Sequence, residues 1–332
     1  MSKNPDPKLK YEVKFDPLLR RAKITTAYAT VEMIEDSVSP SPEDVRISSM
    51  QLRYWRAIHA ELMTHRVFSR NASSSRAIPV AKVLSQVWND PAGPMYWGAN
   101  QSGMQAAAEL DGWRQTACRK LWKFAGRTMC CVAWVFIKLN LHKQVANRLL
   151  EPWQYINVLV TSTEWDNFFG LRCHKDAQPE FQHLASLMYK VQEMGTPQRL
   201  KYGEWHLPYI TQNERYEYIN PKYPNGIEIL LKMSTARSAR NSYMTQDKKN
   251  PEMKQDVDLH DRLVGSVPIH SSPAEHQATP LHPKNIGKYV AESYRISRSQ
   301  PNGQMEQWSG NFRGWYQYRK DVEASLWSMK KR

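Results

Sequence analysis

The stretch His65-Arg66-Val67-Phe68-Ser69-Arg70-Asn71-Ala72-Ser73-Ser74-Ser75-Arg76 packs three arginines, a histidine, four serines and an asparagine into twelve residues. Forked guanidinium donors beside clustered hydroxyls and backbone N–H groups are what a phosphate or pyrophosphate requires of a binding loop. The segment follows directly on a helical pattern, with no glycine or proline hinge between them. Phosphate binding is the chemistry these residue types point to.

The charge of the whole chain agrees. Its 332 residues carry 46 Lys+Arg against 32 Asp+Glu, a formal net charge of +14. Residues 51–150 hold fourteen basic against four acidic side chains, whereas residues 1–50 are balanced at eight and eight. Such a surplus calls for a polyanionic partner: nucleic acid, a membrane surface or phosphorylated small ligands. With 41% hydrophobic and 23% charged residues, disordered and collagen-like classes are excluded. The longest apolar run, Thr128 to Ile137, is too short to span a bilayer, and Met1 to Asp16 lacks an apolar signal core. Cys118, Cys130, Cys131 and Cys173 show no zinc spacing and cannot form a disulfide scaffold, so a cytoplasmic setting is expected.

The elements that would position the loop read as follows. Val45–Leu52 alternates as a strand, and Tyr54–Thr64 takes a helical pattern through Ile58 and Leu62. Ser69–Ser75 reads as loop, and Arg114–Asn140 contains the most buried-looking segment. His142–Leu150 reads as a helix stopped by Glu151-Pro152, and Asn157–Thr163 as a buried strand. A helix with Asp176 as N-cap and Pro179 in its first turn carries the stripe Ala177, Phe181, Leu184, Leu187, Met188, Val191. Pro197–Asn225 is expected to form strands and loops, Asp256–Val264 a helix, and Gly265–Pro280 a loop. Tyr289–Lys320 mixes helix with a turn at Ser309-Gly310-Asn311. Helices and strands intermingle throughout, so the expected class is α+β.

The pattern H-R-x-x-S-x-N-x-x-S-x-R resembles the signature of the flavin-dependent thymidylate synthase family. That signature opens with Arg-His-Arg, whereas this chain has Thr64-His65-Arg66. Three further segments are similar to family elements in the same order: Asn147 to Pro152, Asn167 to Arg172, and Ala177 to Glu180. His270-Ser271-Ser272-Pro273-Ala274-Glu275-His276 resembles the family's H-x-T-P-x-E-H flavin-contacting motif. It stands about 200 residues after the loop rather than before it. Ala236 to Tyr243 likewise resembles an early family element displaced late, so the chain looks like a rearranged or circularly permuted member. The resemblance spans roughly residues 45–192 and 232–280, leaving residues 1–44 as an N-terminal extension and 281–332 as a C-terminal one.

The resemblance implies an α+β fold with a central mixed sheet flanked by helices. The implied activity is reductive methylation of a deoxypyrimidine monophosphate, dUMP to dTMP, with FAD as cofactor and NADPH and methylenetetrahydrofolate as co-substrates. Ser74, Ser75, Arg76 and Arg148 match substrate-phosphate positions, and Arg172 matches the family's catalytic arginine, which also binds substrate. His65, Arg66, Ser69, Asn71, Asn167, Ser272 and Glu275 match flavin-binding positions. Glu61 stands where the family usually has a nucleotide-contacting glutamine, placing an acceptor-only group there. Family members are homotetramers, so a homo-oligomer, tetramer or dimer, is the implied assembly.

Glu61, the missing arginine, and His174 and Asp176 motivate an alternative, a flavin- and folate-dependent dCMP methyltransferase or hydroxymethylase. An alternative of another class is a non-catalytic nucleic-acid-binding protein on the same fold, but small nucleotide ligands explain the charge better. Cys130 and Cys131 read as inert core residues, and Cys173, beside Arg172, as structural. His183 and His276 lack a ligand partner at i+4, so no metal is expected. Trp153, Trp165 and Trp315 are expected to pack in the core rather than stack on bases.

Overall fold

The structure, a computed structural model, describes residues 10–241, 252–282, 298–299, 305–306 and 308–330. Six strands form its central sheet: β1 (Glu12–Asp16), β2 (Arg21–Thr25), β3 (Thr30–Val38), β4 (Arg46–Trp55), β5 (Ser69–Ala72) and β6 (Tyr155–Ser162). They are ordered β1-β2-β3-β4-β6-β5, and every pair along that order is antiparallel. The short β7 (Gln198–Arg199) runs parallel to the end of β3, making the sheet mixed. Residues 12–38 thus supply half of the six-strand run, and the boundary expected at residue 44 falls between two paired strands.

Alternation decides which face of the sheet is filled. Leu52 and Tyr54 of β4 point inward while Gln51 and Arg53 point away. With Val31, Met33, Ile156, Val158 and Val160 they meet Phe181, Leu184, Leu187, Met188 and Val191 of α6 (Pro179–Met194) and Phe168 of α5 (Asp166–Arg172). On the other side of the sheet α7 (Gln212–Tyr218) reaches Glu35 of β3 through Arg215, α8 (Gly226–Arg240) and Asn241 beyond it reach β4 and β5, and α9 (Met253–Val264) packs on α8. A strand pair, β8 (Ala278–Pro280) with Trp315–Gln317, completes that layer, followed by a helix over Arg319–Lys330. The architecture is α+β, and no helix among the described residues is long and apolar enough to cross a membrane.

Several local expectations are corrected. Ser69–Ala72 is a strand, because β6 offers a free edge and its ladder outweighs the polar composition. The helix expected over Tyr54–Thr64 is shorter: β4 runs to Trp55, a 3₁₀ turn covers Arg56–Ile58, and α1 occupies only His59–Met63. Helix α2 spans Val80–Asn89 and α3 spans Gly112–Lys138. Along α3 only Gly126, Cys130 and Ala133 are buried, so its apolar residues surround the helix rather than forming one core stripe. Cys131 is exposed and not a core residue.

Helix α4 covers only Lys143–Ala146, and the chain continues through Pro152 as a 3₁₀ turn over Asn147–Trp153. The cap of α6 is Gln178 rather than Asp176, with Pro179 in the first turn as expected. The region Pro197–Asn225 contains α7 and one two-residue strand, and Gly265–Pro280 contains a 3₁₀ turn (Ser272–Glu275) as well as β8. Trp165 and Trp315 are buried, while Trp153 is half-buried. The part of Tyr289–Lys320 before Trp308 lies largely outside the described residues, but the turn at Gly310 is present with φ +60°.

Candidate active site

Arg172 ends α5 and reaches back across the chain to α1. Its Nε donates to His65 Nε2 at 2.9 Å, one terminal nitrogen donates to Glu61 Oε2 at 2.9 Å, and the other to Thr64 Oγ1 at 3.3 Å. The guanidinium carbon lies 4.8 Å from the Phe181 ring centre. Three of its five N–H donors are engaged and one face is covered, so the cation is held in place with two donors left over. Burial, with Arg172 and Arg70 nearby, holds the His65 imidazole below its ordinary range, so it is neutral at pH 7. Since its Nε2 accepts from Arg172, the ring proton sits on Nδ1. The ring is wedged against Phe168, with centres 4.9 Å apart, and against Phe68 at 5.7 Å. Arg70 ties off the same turn by donating to the carbonyls of Met63 and His65 at 3.0 and 3.1 Å.

Strand β5 carries the loop away from this cluster, and the late segments meet it there. Asn71 Nδ2 donates to the Ser238 carbonyl at 3.3 Å, and Asn241 Nδ2 donates to the Asn71 carbonyl at 2.7 Å. Gln317 Nε2 bridges Ser69 Oγ at 3.2 Å and the Glu275 carbonyl at 3.0 Å. The Glu275 carboxylate pairs with Arg319, and burial pushes its carboxyl up against the pull of Arg319 and Arg70. Behind it, a fully buried hydrogen-bonded chain runs from Ser37 through His206, Ser49 and Thr161 to His276 Nδ1. Burial keeps both of its histidines neutral, with His276 lowered to about 3.

The residues expected to bind phosphate gather at the other end of β5. Ser75 Oγ donates to Glu151 Oε1 at 2.6 Å, Arg56 lies 3.3 Å from the same oxygen, and Arg148 lies 3.9 Å from it. Arg76 and Arg148 are exposed and Ser74 is half-buried. The four residues of β5 span about 13 Å, so within one chain this group and the Arg172 cluster are separate. Of the residues expected to hold flavin, Arg66, Asn167 and Ser272 are exposed. His65, Ser69 and Asn71 are buried and engaged within the protein. Ser69 and Asn71 therefore build the scaffold on which exposed donors stand.

Sequence reasoning counted Arg70 among the loop's three arginines without a role of its own, and gave no role in the site to Arg56, Glu151, Phe181, Asn241, Gln317 and Arg319. Arg56 could have been noticed as a cation before the loop, but nothing in the sequence pairs Gln317 with a serine 248 positions away. Among the other candidates, His183 Nε2 lies 3.1 Å from Thr26 Oγ1, and burial raises the Cys173 thiol. His174 and Asp176 are exposed, 3.4 Å apart.

Comparison with solved structures finds a likeness to a UMP/dUMP methylase, PolB from Streptomyces cacaoi, bound with 5-Br UMP. The TM-score is 0.40 at 16% sequence identity, covering 49% of this chain and 88% of that one. The same protein bound with 5-Br dUMP gives a TM-score of 0.38 at 14% identity, over 49% and 89% of the two chains. Overlap at this level assigns neither a family nor an activity. No protein-family model and no curated protein matches the chain.

Proposed function

We propose that the chain is a flavin-dependent enzyme that methylates a deoxypyrimidine monophosphate, dUMP to dTMP, using methylenetetrahydrofolate and NADPH. The observation that carries this reading is the convergence of distant segments on β5. Arg172 locks onto the turn before it, while Ser238, Asn241 and, through Gln317, Glu275 lock onto the strand itself. Segments that stand late in the sequence thus lie against the loop, which supports the reading of a rearranged chain.

The donor chemistry fits the cofactor in part. Arg66, Asn167 and Ser272 are exposed on the segments that Arg172 and Gln317 hold against β5. They can donate to a flavin's phosphates and ring edge. When bound, flavin supplies the hydride. Arg172, already fixed by neutral His65, Glu61 and Thr64, stabilises negative charge developing on a pyrimidine ring and needs no reorganisation to do so. Arg76 and Arg148 meet the substrate phosphate from a second copy of the chain, since within one chain they stand apart from Arg172. No protein thiol is required: Cys173 is half-buried with its thiol raised, and Cys130 is pushed up to about 11 by burial.

A specific observation also favours a second reading, methylation or hydroxymethylation of dCMP. Glu61 presents a carboxylate beside Arg172, and a carboxylate accepts from a cytosine amino group where a uracil offers a carbonyl. Titrating the purified chain with FAD tests the common premise. Retained yellow absorbance and saturable quenching of flavin fluorescence are expected, weakened in Arg66→Ala. A colourless protein that ignores FAD would remove the basis for both readings.

A further inference from the structure

The feature that the proposed chemistry leaves unused is α3. It runs for 27 residues, about 40 Å. Its inner side packs through Gly126, Cys130 and Ala133, while Trp122 bonds to the Ala92 carbonyl. The outer side carries Ala117, Leu121, Phe124, Thr128, Cys131 and Val135, with Leu139 just beyond its end. These positions are spaced four, three, four, three, four and four, the rhythm of a helix-pairing seam. Leu121, Phe124, Val135 and Leu139 are 64, 68, 46 and 73% exposed. An apolar strip of this length is a contact surface.

The seam is nearly symmetric about Thr128. Phe124 lies four residues before it and Cys131 three after, Leu121 and Val135 lie seven residues to either side, and Ala117 and Leu139 lie eleven. The Thr128 hydroxyl is satisfied by the Phe124 carbonyl at 3.0 Å, so covering the seam strands no polar group there. Charge selects the direction. From Gly112 to Leu150 the chain has eight Lys/Arg and no Asp or Glu. Five of the eight (Arg114, Arg119, Lys120, Lys123 and Arg127) fall in the first part of α3, and only Lys138 in the last ten residues of the helix.

We propose that two copies of this chain pair α3 against α3, antiparallel, about a two-fold axis at Thr128. Each basic half then lies beside the apolar half of the other copy and near the negative end of its helix dipole. Lys120 and its copy stand about 24 Å apart along the axis, beyond the screening length of about 8 Å at physiological salt. Arg127, about 3 Å from its copy along the axis, is turned aside onto Trp88, donating to its carbonyl at 3.3 Å. A parallel pair would set the basic halves side by side. A lipid surface would call for cations along the whole strip, and a polyphosphate has no use for Leu121, Val135 and Leu139. The inference rests on α3 alone and is independent of the flavin reading.

Sedimentation of the full chain under reducing conditions at physiological salt tests it, with three variants. The wild type is expected as a dimer or a multiple of one. Phe124→Asp should halve the sedimenting mass with unchanged circular dichroism and speed Cys131 alkylation at least tenfold. In a Cys118→Ser, Cys131→Ser background, Thr128→Cys should oxidise to a covalent dimer. Thr116→Cys, about 36 Å from its copy in this arrangement, should not. A monomeric wild type, an unchanged mass for Phe124→Asp, or efficient cross-linking through Thr116→Cys would overturn the proposal. So would a monomer that binds anionic phosphatidylglycerol vesicles and loses that binding in Phe124→Asp.

Discussion

Arg172 and His65, 107 positions apart in sequence, are joined by a 2.9 Å hydrogen bond from the guanidinium Nε to the imidazole Nε2. That bond sets the orientation of both groups. Burial and two neighbouring arginines keep His65 neutral, so it accepts from the guanidinium rather than repelling it. Glu61 closes the arrangement from the other side at 2.9 Å.

Glu61 is the residue through which base preference is most directly altered. Glu61→Gln replaces a carboxylate by a group that both donates and accepts. The ratio of dUMP to dCMP turnover is expected to rise at least tenfold. Competition assays with the two nucleotides would measure it, and an unchanged ratio would show that Glu61 does not face the base.

Arg148 is exposed and only loosely associated with Glu151, at 3.9 Å. Arg148→Ala should therefore leave thermal stability nearly unchanged, within about 0.5 kcal/mol. It should raise the KM for nucleotide roughly tenfold, the order expected for losing one charge-assisted contact, with kcat little altered. Steady-state kinetics separates the two parameters.

Asn241 is 3% exposed and satisfied at both ends, donating to the Asn71 carbonyl at 2.7 Å and accepting from Gln51 Nε2 at 3.2 Å. Asn241→Ala strands both partners and is expected to cost about 1–3 kcal/mol. The urea midpoint should fall accordingly. A shift too small to measure would mean that the end of α8 is not tied to β5 in solution.

Burial also sets the acid limit of the fold. His59 and His183 are lowered to about 4, His276 to about 3, and His206 well below its ordinary value. In the unfolded chain these imidazoles take up protons near pH 6.5, while in the folded protein they do not. The unfolded state therefore binds more protons as pH falls, and stability should drop steadily from about pH 6.5 to pH 4. The Tm measured across that range is expected to decline. A flat profile would contradict the buried, neutral histidines.

The strand β6 and the apolar stripe of α6 were legible because periodicity and β-branched residues report burial directly. The loop's composition marked the stretch on which distant segments converge, and Arg172, Glu61 and His65 do come together. What the sequence concealed depends on partners far along the chain. Ser69–Ala72 looked like loop because its strand character comes from the free edge of β6. Arg114–Asn140 looked buried because hydropathy cannot distinguish an apolar surface waiting for a partner from a core. Gln317 could not be foreseen, since a lone glutamine carries no periodic or motif signal.

Tritium release from C5-labelled dUMP and dCMP, in the presence of FAD, methylenetetrahydrofolate and NADPH, tests the central claim most directly. Release from dUMP, dependent on all three and reduced at least a hundredfold in Arg172→Ala, is the predicted result. Release from dCMP alone would select the second reading. A flavin-loaded protein that releases tritium from neither nucleotide would contradict the account.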